Sequence, residues 1–231
     1  MYRLIATPFL DANMAVAILG YRTYPDGNMQ DQIDDIELAS KKIAIDFPDL
    51  ILKPEIVDAE DWLGSSLIGH SSGVHIGLLA VAQRAERWAL NDIDDKHLKF
   101  DYVIGLSGVY TISEHFDFEV SRGVEEISSM KAAAGFTVES FDYFSPAARL
   151  AKISSFEEQP FEKLPQILLL HGDEDVVVPF TSARRTVRLL QSIGCKDVDT
   201  KILKLGHADT LFHVMFGGET REILMNWLQN R

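Results

Sequence analysis

The chain has 231 residues, 46% of them apolar, and a formal charge of −13. That is enough for one large domain with a sizeable core. It is also acidic enough to repel phosphate backbones and anionic lipid, so nucleic acid is set aside as a partner. One cysteine, Cys195, rules out an intrachain disulfide and suits a reducing, cytoplasmic compartment. It follows Gly194 in an expected loop and reads as a bystander. No segment is long and apolar enough to span a membrane. The first residues, 1–11, lack the apolar centre of a signal peptide and read as the end of an amphipathic helix.

In chain order, five short and continuously apolar runs read as buried parallel strands: residues 15–21, 66–70, 100–106, 166–171 and 200–205. Helical patterns lie between and after them. Residues 30–45 carry Ile33, Ile36, Leu38, Ile43 and Ile45 among charges. Residues 74–90 form an apolar helix, 180–193 mix basic and apolar side chains before Gly194, and 218–229 close the chain. The alternation predicts an α/β fold over residues 1–231, a mostly parallel sheet with helices on both faces. Residues 111–164 are far longer than a crossover requires. Phe116, Val120, Val124 and Ile127 fit one apolar helical stripe there, serving either as extra core or as a lid over a site.

The chemistry is expected at the ends of the strands. Gly69-His70-Ser71-Ser72-Gly73 has the form G-x-S-x-G between a predicted strand and a predicted helix. That is the setting of a nucleophile elbow, with Ser71 on a tight turn; the plainer role is a serine capping the helix. The loop after the fourth strand, from His171 to Pro179, carries Asp173 and Asp175. The loop after the fifth carries His207, between Gly206 and Ala208. The other histidines have weaker claims. His70 sits inside the elbow, His75 on the helix behind it, His97 and His115 in polar or lid-like segments, and His213 beyond the last loop; His171 reads as a packed strand-end residue.

Serine, acid and histidine in this chain order resemble the α/β-hydrolases, and Leu170-His171-Gly172-Asp173-Glu174-Asp175 with Val178-Pro179 resembles their acid loop. The resemblance implies Asp175 as the acid, leaving Asp173 as a turn former whose carboxylate accepts backbone hydrogen bonds. It extends over essentially the whole chain. Tyr21-Arg22-Thr23-Tyr24-Pro25, Gly69–Gly73 with Val74-His75-Ile76, Leu106-Ser107-Gly108-Val109-Tyr110 and Gly206-His207-Ala208-Asp209 resemble segments of the esterase/lipase branch related to hormone-sensitive lipase. Within that branch the likeness is to prenylcysteine methylesterase-like, BD-FAE-like and kynurenine-formamidase-like proteins.

The resemblance implies a serine hydrolase with Ser71 as nucleophile, His207 as general base and Asp175 orienting it. The Ser72 backbone N–H would donate to the oxyanion, with a small-molecule ester as substrate and no metal or cofactor. Formamidase-type amide hydrolysis uses the same residues, and a non-catalytic relative would keep the same fold. One departure bears on that last reading. Members of the branch carry H-G-G-x-W ahead of their first helix, a loop supplying further oxyanion donors, and here the only His-Gly is His171-Gly172. The resemblance therefore implies an N-terminally truncated domain, lacking its first strands and oxyanion loop, that is unstable or nearly inactive as written. Each lost donor would cost roughly 10²–10³ in rate.

Overall fold

A computed structural model describes residues 2–48, 64–90, 98–156 and 164–230. His97, and residues 157–163 of the expected lid segment, lie outside them. The chain opens with a 3₁₀ turn, Tyr2–Ala6, continued by α1 (Thr7–Asp11). An irregular stretch leads to α2 (Met29–Asp46). Then follow β1 (Ser66–His70), α3 (Ser72–Ala89) and β2 (Tyr102–Leu106). Four short helices come next: α4 (Ile112–Ser121), α5 (Ser129–Ala134), α6 (Val138–Tyr143) and α7 (Pro146–Lys152). The last third is β3 (Gln166–Gly172), α8 (Thr181–Ser192), β4 (Val198–Leu203), α9 (Asp209–Phe216) and α10 (Glu219–Gln229).

The described strands form one parallel sheet in the order β1-β2-β3-β4. Side chains alternate between its faces. Val103, Ile167 and Leu169 point to one face, against Leu78 and Val81 of α3, Leu150 of α7 and Val187 of α8. Ile104, Leu106, Leu168 and Leu170 point to the other, against Phe9 of α1, Leu211 and Val214 of α9, and Leu224 of α10. With both faces covered, the inner strands β2 and β3 are mostly apolar, while β4 keeps Asp199, Thr200 and Lys201 at the sheet edge, and each fully buried Leu, Ile or Val contributes about 1.5–3 kcal/mol. A third cluster joins Ile33 and Ile36 of α2 to Ile76 and Leu79 of α3 and Ile112 of α4.

Local chemistry sets the helix ends. Asn28 caps α2 by accepting the Asp31 N–H, and the Asp31 carboxylate accepts the Asn28 N–H in return. In α8, Ala183, Val187 and Leu190 face the core while Arg184, Arg185 and Arg188 face solvent. No helix among the described residues is long and apolar enough to cross a membrane.

Three expectations need correction. Residues 15–21 form no strand, and Val16 and Ile18 are 36% and 49% exposed. Apolarity alone does not make a strand: no described strand lies beside this run to supply a ladder. Its end is held instead by ion pairs of Arg22 with Asp31 and Asp35 of α2. The last strand is Val198–Leu203, because it pairs only with β3, starting at Ile167 opposite Val198. The stripe from Phe116 to Ile127 is not one helix. The α4 helix stops at Ser121, and Gly123 has φ +68°. There the Gly123 N–H donates to Val120 O and the Val124 N–H to Glu119 O, a Schellman closure. Val120 and Ile127 are left 48% and 82% exposed.

Candidate active site

The register brings the strand ends level: His70 lies opposite Leu106, and Leu106 opposite Leu170. Ser71 and Ser107 therefore leave the sheet side by side, level with His171 near the end of β3. The loops carrying Asp175 and His207 continue from the same edge, where parallel sheets place their sites.

Ser71 has φ +55° and ψ −120°, a conformation that costs an L-residue on the order of 1–3 kcal/mol. Its surroundings enforce it. The Ser71 N–H donates to Leu106 O at 2.9 Å, continuing the β1–β2 ladder by one residue. Its carbonyl accepts the His75 N–H in the first turn of α3. Gly69 lets the helix close onto the strand, since a Cβ there would run into the Val74 backbone. Ser72 is the first residue of α3, so its N–H has no intrahelical acceptor. The Ser72 Oγ lies 3.0 Å from the hydroxyl of Tyr21, in the irregular segment between α1 and α2.

Asp175 is buried, and four donors converge on its carboxylate. Oδ1 accepts the N–H groups of Val177 and Val178 at 2.8 and 2.9 Å. Oδ2 accepts His207 Nδ1–H at 2.8 Å and lies 3.1 Å from His171 Nε2, whose N–H is shared with Val178 O at 3.1 Å. Burial alone would raise this carboxyl's pKa. The hydrogen bonds from His171, His207 and Val178 outweigh it and hold the group well below the usual carboxylate range. Asp173, by contrast, is exposed, and its turn is tied by its backbone N–H to Leu203 O rather than by its carboxylate.

With Nδ1–H directed at Asp175, the His207 ring keeps Nε2 free to take a proton. The side chain is 16% exposed. Its loop is pinned through the backbone, where the His207 carbonyl accepts His70 Nε2–H at 2.9 Å and the Thr210 hydroxyl at 3.1 Å. Thr210 in turn accepts the Ser107 hydroxyl at 3.0 Å. Among the described residues no hydrogen bond joins the Ser71 hydroxyl to His207. The two are linked through His70, the residue before Ser71.

The structure thus brings Ser71, Ser72, Asp175 and His207 to one edge of the sheet. It adds His70 and His171, whose contacts the sequence did not disclose. Their adjacency to Ser71 and their four-residue spacing from Asp175 were the available signals. Two other described histidines, His75 and His115, are engaged elsewhere. His75 is buried, donates Nδ1–H to Val109 O at 2.9 Å, and is lowered by burial to about 4, so it is neutral. His115 faces Glu119 on α4 at 3.3 Å. Cys195 is a buried free thiol pushed up to about 11, chiefly by burial. Among the described residues no group of three or more His, Cys, Asp and Glu side chains is arranged to hold a metal ion.

No family model matches the chain. Its sequence is similar to a probable isoprenylcysteine alpha-carbonyl methylesterase of Oryza sativa subsp. japonica, 26% identical over 194 residues, covering 84% of this chain and 44% of that one. An isoprenylcysteine alpha-carbonyl methylesterase of Arabidopsis thaliana is 26% identical over 201 residues, with 84% and 43% covered. The chain spans less than half the length of these relatives. Among solved structures it is similar to esterase B from Lactobacillus rhamnosis, with a TM-score of 0.62 and 17% identity over 91% of this chain and 63% of that one. A truncated carbohydrate esterase from gut microbiota gives 0.62 and 16%, covering 98% and 77%. A bifunctional GH43-CE protein of Bacteroides eggerthii gives 0.69 and 15%, covering 99% and 29%. At such identities the structural likeness is one of fold. The chain has the α/β-hydrolase fold, and the likeness to esterases of that fold carried by its sequence is borne out by its relatives.

Proposed function

We propose that this chain is the catalytic part of a carboxylic ester hydrolase working through Ser71, His207 and Asp175. The observation that carries the reading is the His207–Asp175 hydrogen bond at 2.8 Å, set at the same sheet edge as the strained turn at Ser71. A serine hydroxyl is a poor nucleophile near neutral pH and needs an adjacent base. In the proposed reaction Ser71 Oγ bonds to the ester carbonyl carbon while its proton passes to His207 Nε2. Asp175, an anion throughout, stabilises the imidazolium that forms. The tetrahedral oxyanion takes the Ser72 N–H at the start of α3, where the helix dipole favours negative charge. Collapse breaks the C–O bond to the alcohol, which leaves with the proton from His207. Water then repeats the sequence on the acyl-enzyme, releasing the acid and restoring Ser71.

The names of the sequence relatives favour a methyl ester as the substrate class. The helices after Ile112 are proposed as the wall of its pocket. In support, Glu114 of α4 accepts the Thr181 hydroxyl at 2.7 Å just beyond the Asp175 loop. The test is covalent labelling. A fluorophosphonate probe should modify Ser71, located by peptide mass spectrometry, and p-nitrophenyl acetate should be turned over by the parent but not by Ser71→Ala. A folded parent that is neither labelled nor active would overturn this reading.

A further inference from the structure

We propose that His70 is a positioning residue for His207, holding the histidine loop in register with the serine. The proposal rests on the reading of His207 as the base, but its geometry stands independently. His70 ends β1 and immediately precedes Ser71. Its Nε2 lies 2.9 Å from the His207 carbonyl oxygen, 137 residues away in sequence. A carbonyl only accepts, so the proton is on His70 Nε2. The two rings also touch, with centroids 4.8 Å apart and planes tilted by 53°. One residue thus ties the strand that delivers the nucleophile to the loop that delivers the base.

The choice of an imidazole has a physical reason. During attack His207 becomes a cation, and a lysine or arginine donor at position 70 would repel it. Burial lowers the pKa of His70 against the opposing bond to the His207 carbonyl, and the nearby charges come from His207, Asp175 and His171. A neutral imidazole donates one hydrogen bond without adding a like charge. Thr210 supplies the second donor to the same carbonyl, and Ser107 orients Thr210. Both lone pairs of that oxygen are therefore used, which fixes the peptide plane beside the imidazole. Thr210 and Ser107 lie on α9 and just past β2, and they reach Ser71 by way of the ladder bond from the Ser71 N–H to Leu106 O. His70 makes the more direct link, because it precedes Ser71 in the chain and bonds the His207 carbonyl itself.

The test compares three variants of the described chain. His70→Phe keeps an aromatic ring and loses the donor. His70→Gln keeps an N–H at about the same reach. His70→Asn is polar but too short. The first readout needs no activity: the downfield proton NMR signal of His207 Nδ1–H, bonded to Asp175 and assigned by its loss in His207→Ala. It should stay sharp in the parent and in His70→Gln, and broaden or vanish in His70→Phe and His70→Asn. The second readout is turnover of p-nitrophenyl acetate. In His70→Phe and His70→Asn, kcat should fall about 10–100-fold with KM nearly unchanged, the scale of a base displaced by an ångström. His70→Gln should recover most of the loss.

A sharp Nδ1–H signal in His70→Phe or His70→Asn would overturn the proposal, as would a His70→Gln variant no better than His70→Phe. If His70→Phe fails to fold, the Gln–Asn contrast still decides, and if His70→Asn fails, the Gln–Phe contrast does. A parent with the signal but without labelling at Ser71 would sink the hydrolase reading and leave the positioning role to be judged by the NMR signal alone.

Discussion

His171 and Asp175 meet inside the same turn, with His171 Nε2 3.1 Å from Asp175 Oδ2 and both side chains shielded from solvent. The acceptors facing that nitrogen are Asp175 Oδ2 and Val178 O, so it carries the proton. His171 therefore works as a fixed donor to a buried carboxylate. Replacing it by Phe keeps the bulk and removes the bond. A hydrogen bond to a charged group contributes about 1.5–3 kcal/mol, so His171→Phe should lose that much stability near pH 7 in urea denaturation. His171→Gln, which can still donate, should lose less. Equal losses for the two would show that His171 matters for its packing alone.

The backbone at Ser71 makes a second prediction, on stability. A φ of +55° with ψ −120° is easy for glycine and strained for any L side chain. Ser71→Ala and Ser71→Gly both remove the hydroxyl, so both should abolish turnover and probe labelling. Only the glycine relieves strain. It should unfold at higher urea than the alanine variant, by about 1 kcal/mol. Two variants of equal stability would mean that the turn stores no strain.

Gly123 is the third case. It closes α4 with φ +68°, and an added Cβ would meet nothing within 4 Å. The cost of Gly123→Ala should therefore be purely conformational, about 1 kcal/mol in thermal or urea unfolding. A neutral result would indicate that the end of α4 frays freely.

The same elements show what was readable in the chain beforehand. Residues 66–70 and 166–171 were legible as strands because a parallel strand covered on both faces carries a short, mostly apolar run. Residues 15–21 carry that same signal and pair with nothing described, since pairing depends on a neighbour that no local pattern encodes. That Ser71, an acid of the His171–Pro179 loop and His207 would gather at one sheet edge was legible from their chain order and their places after strands, while the choice of Asp175 over Asp173 came from the resemblance. The contacts of His70 were not, because they depend on which loop returns to which strand end. The end of α4 was marked by Gly123, but its local backbone signal competed with an apolar stripe that ran past it.

The Asp175 carboxylate links the site to pH. Its pKa is lowered from 3.8: burial, which raises it, is outweighed by the donors from His171, His207 and Val178. A carboxyl depressed in the folded state stabilises the fold fully above its unfolded value, and the contribution is lost as pH falls through that value toward the folded one. The window therefore opens near pH 4 and extends below it. In Asp175→Asn that titration is gone. The parent should be the more stable of the two at pH 6, and the gap in urea midpoint should narrow steadily below about pH 4. Activity is affected at every pH, because an amide holds the wrong tautomer of His207 and should lower kcat by about 10⁴-fold. A gap in midpoint that stays constant from pH 6 to pH 2.5 would show that the Asp175 carboxylate is not held as an anion by its neighbours.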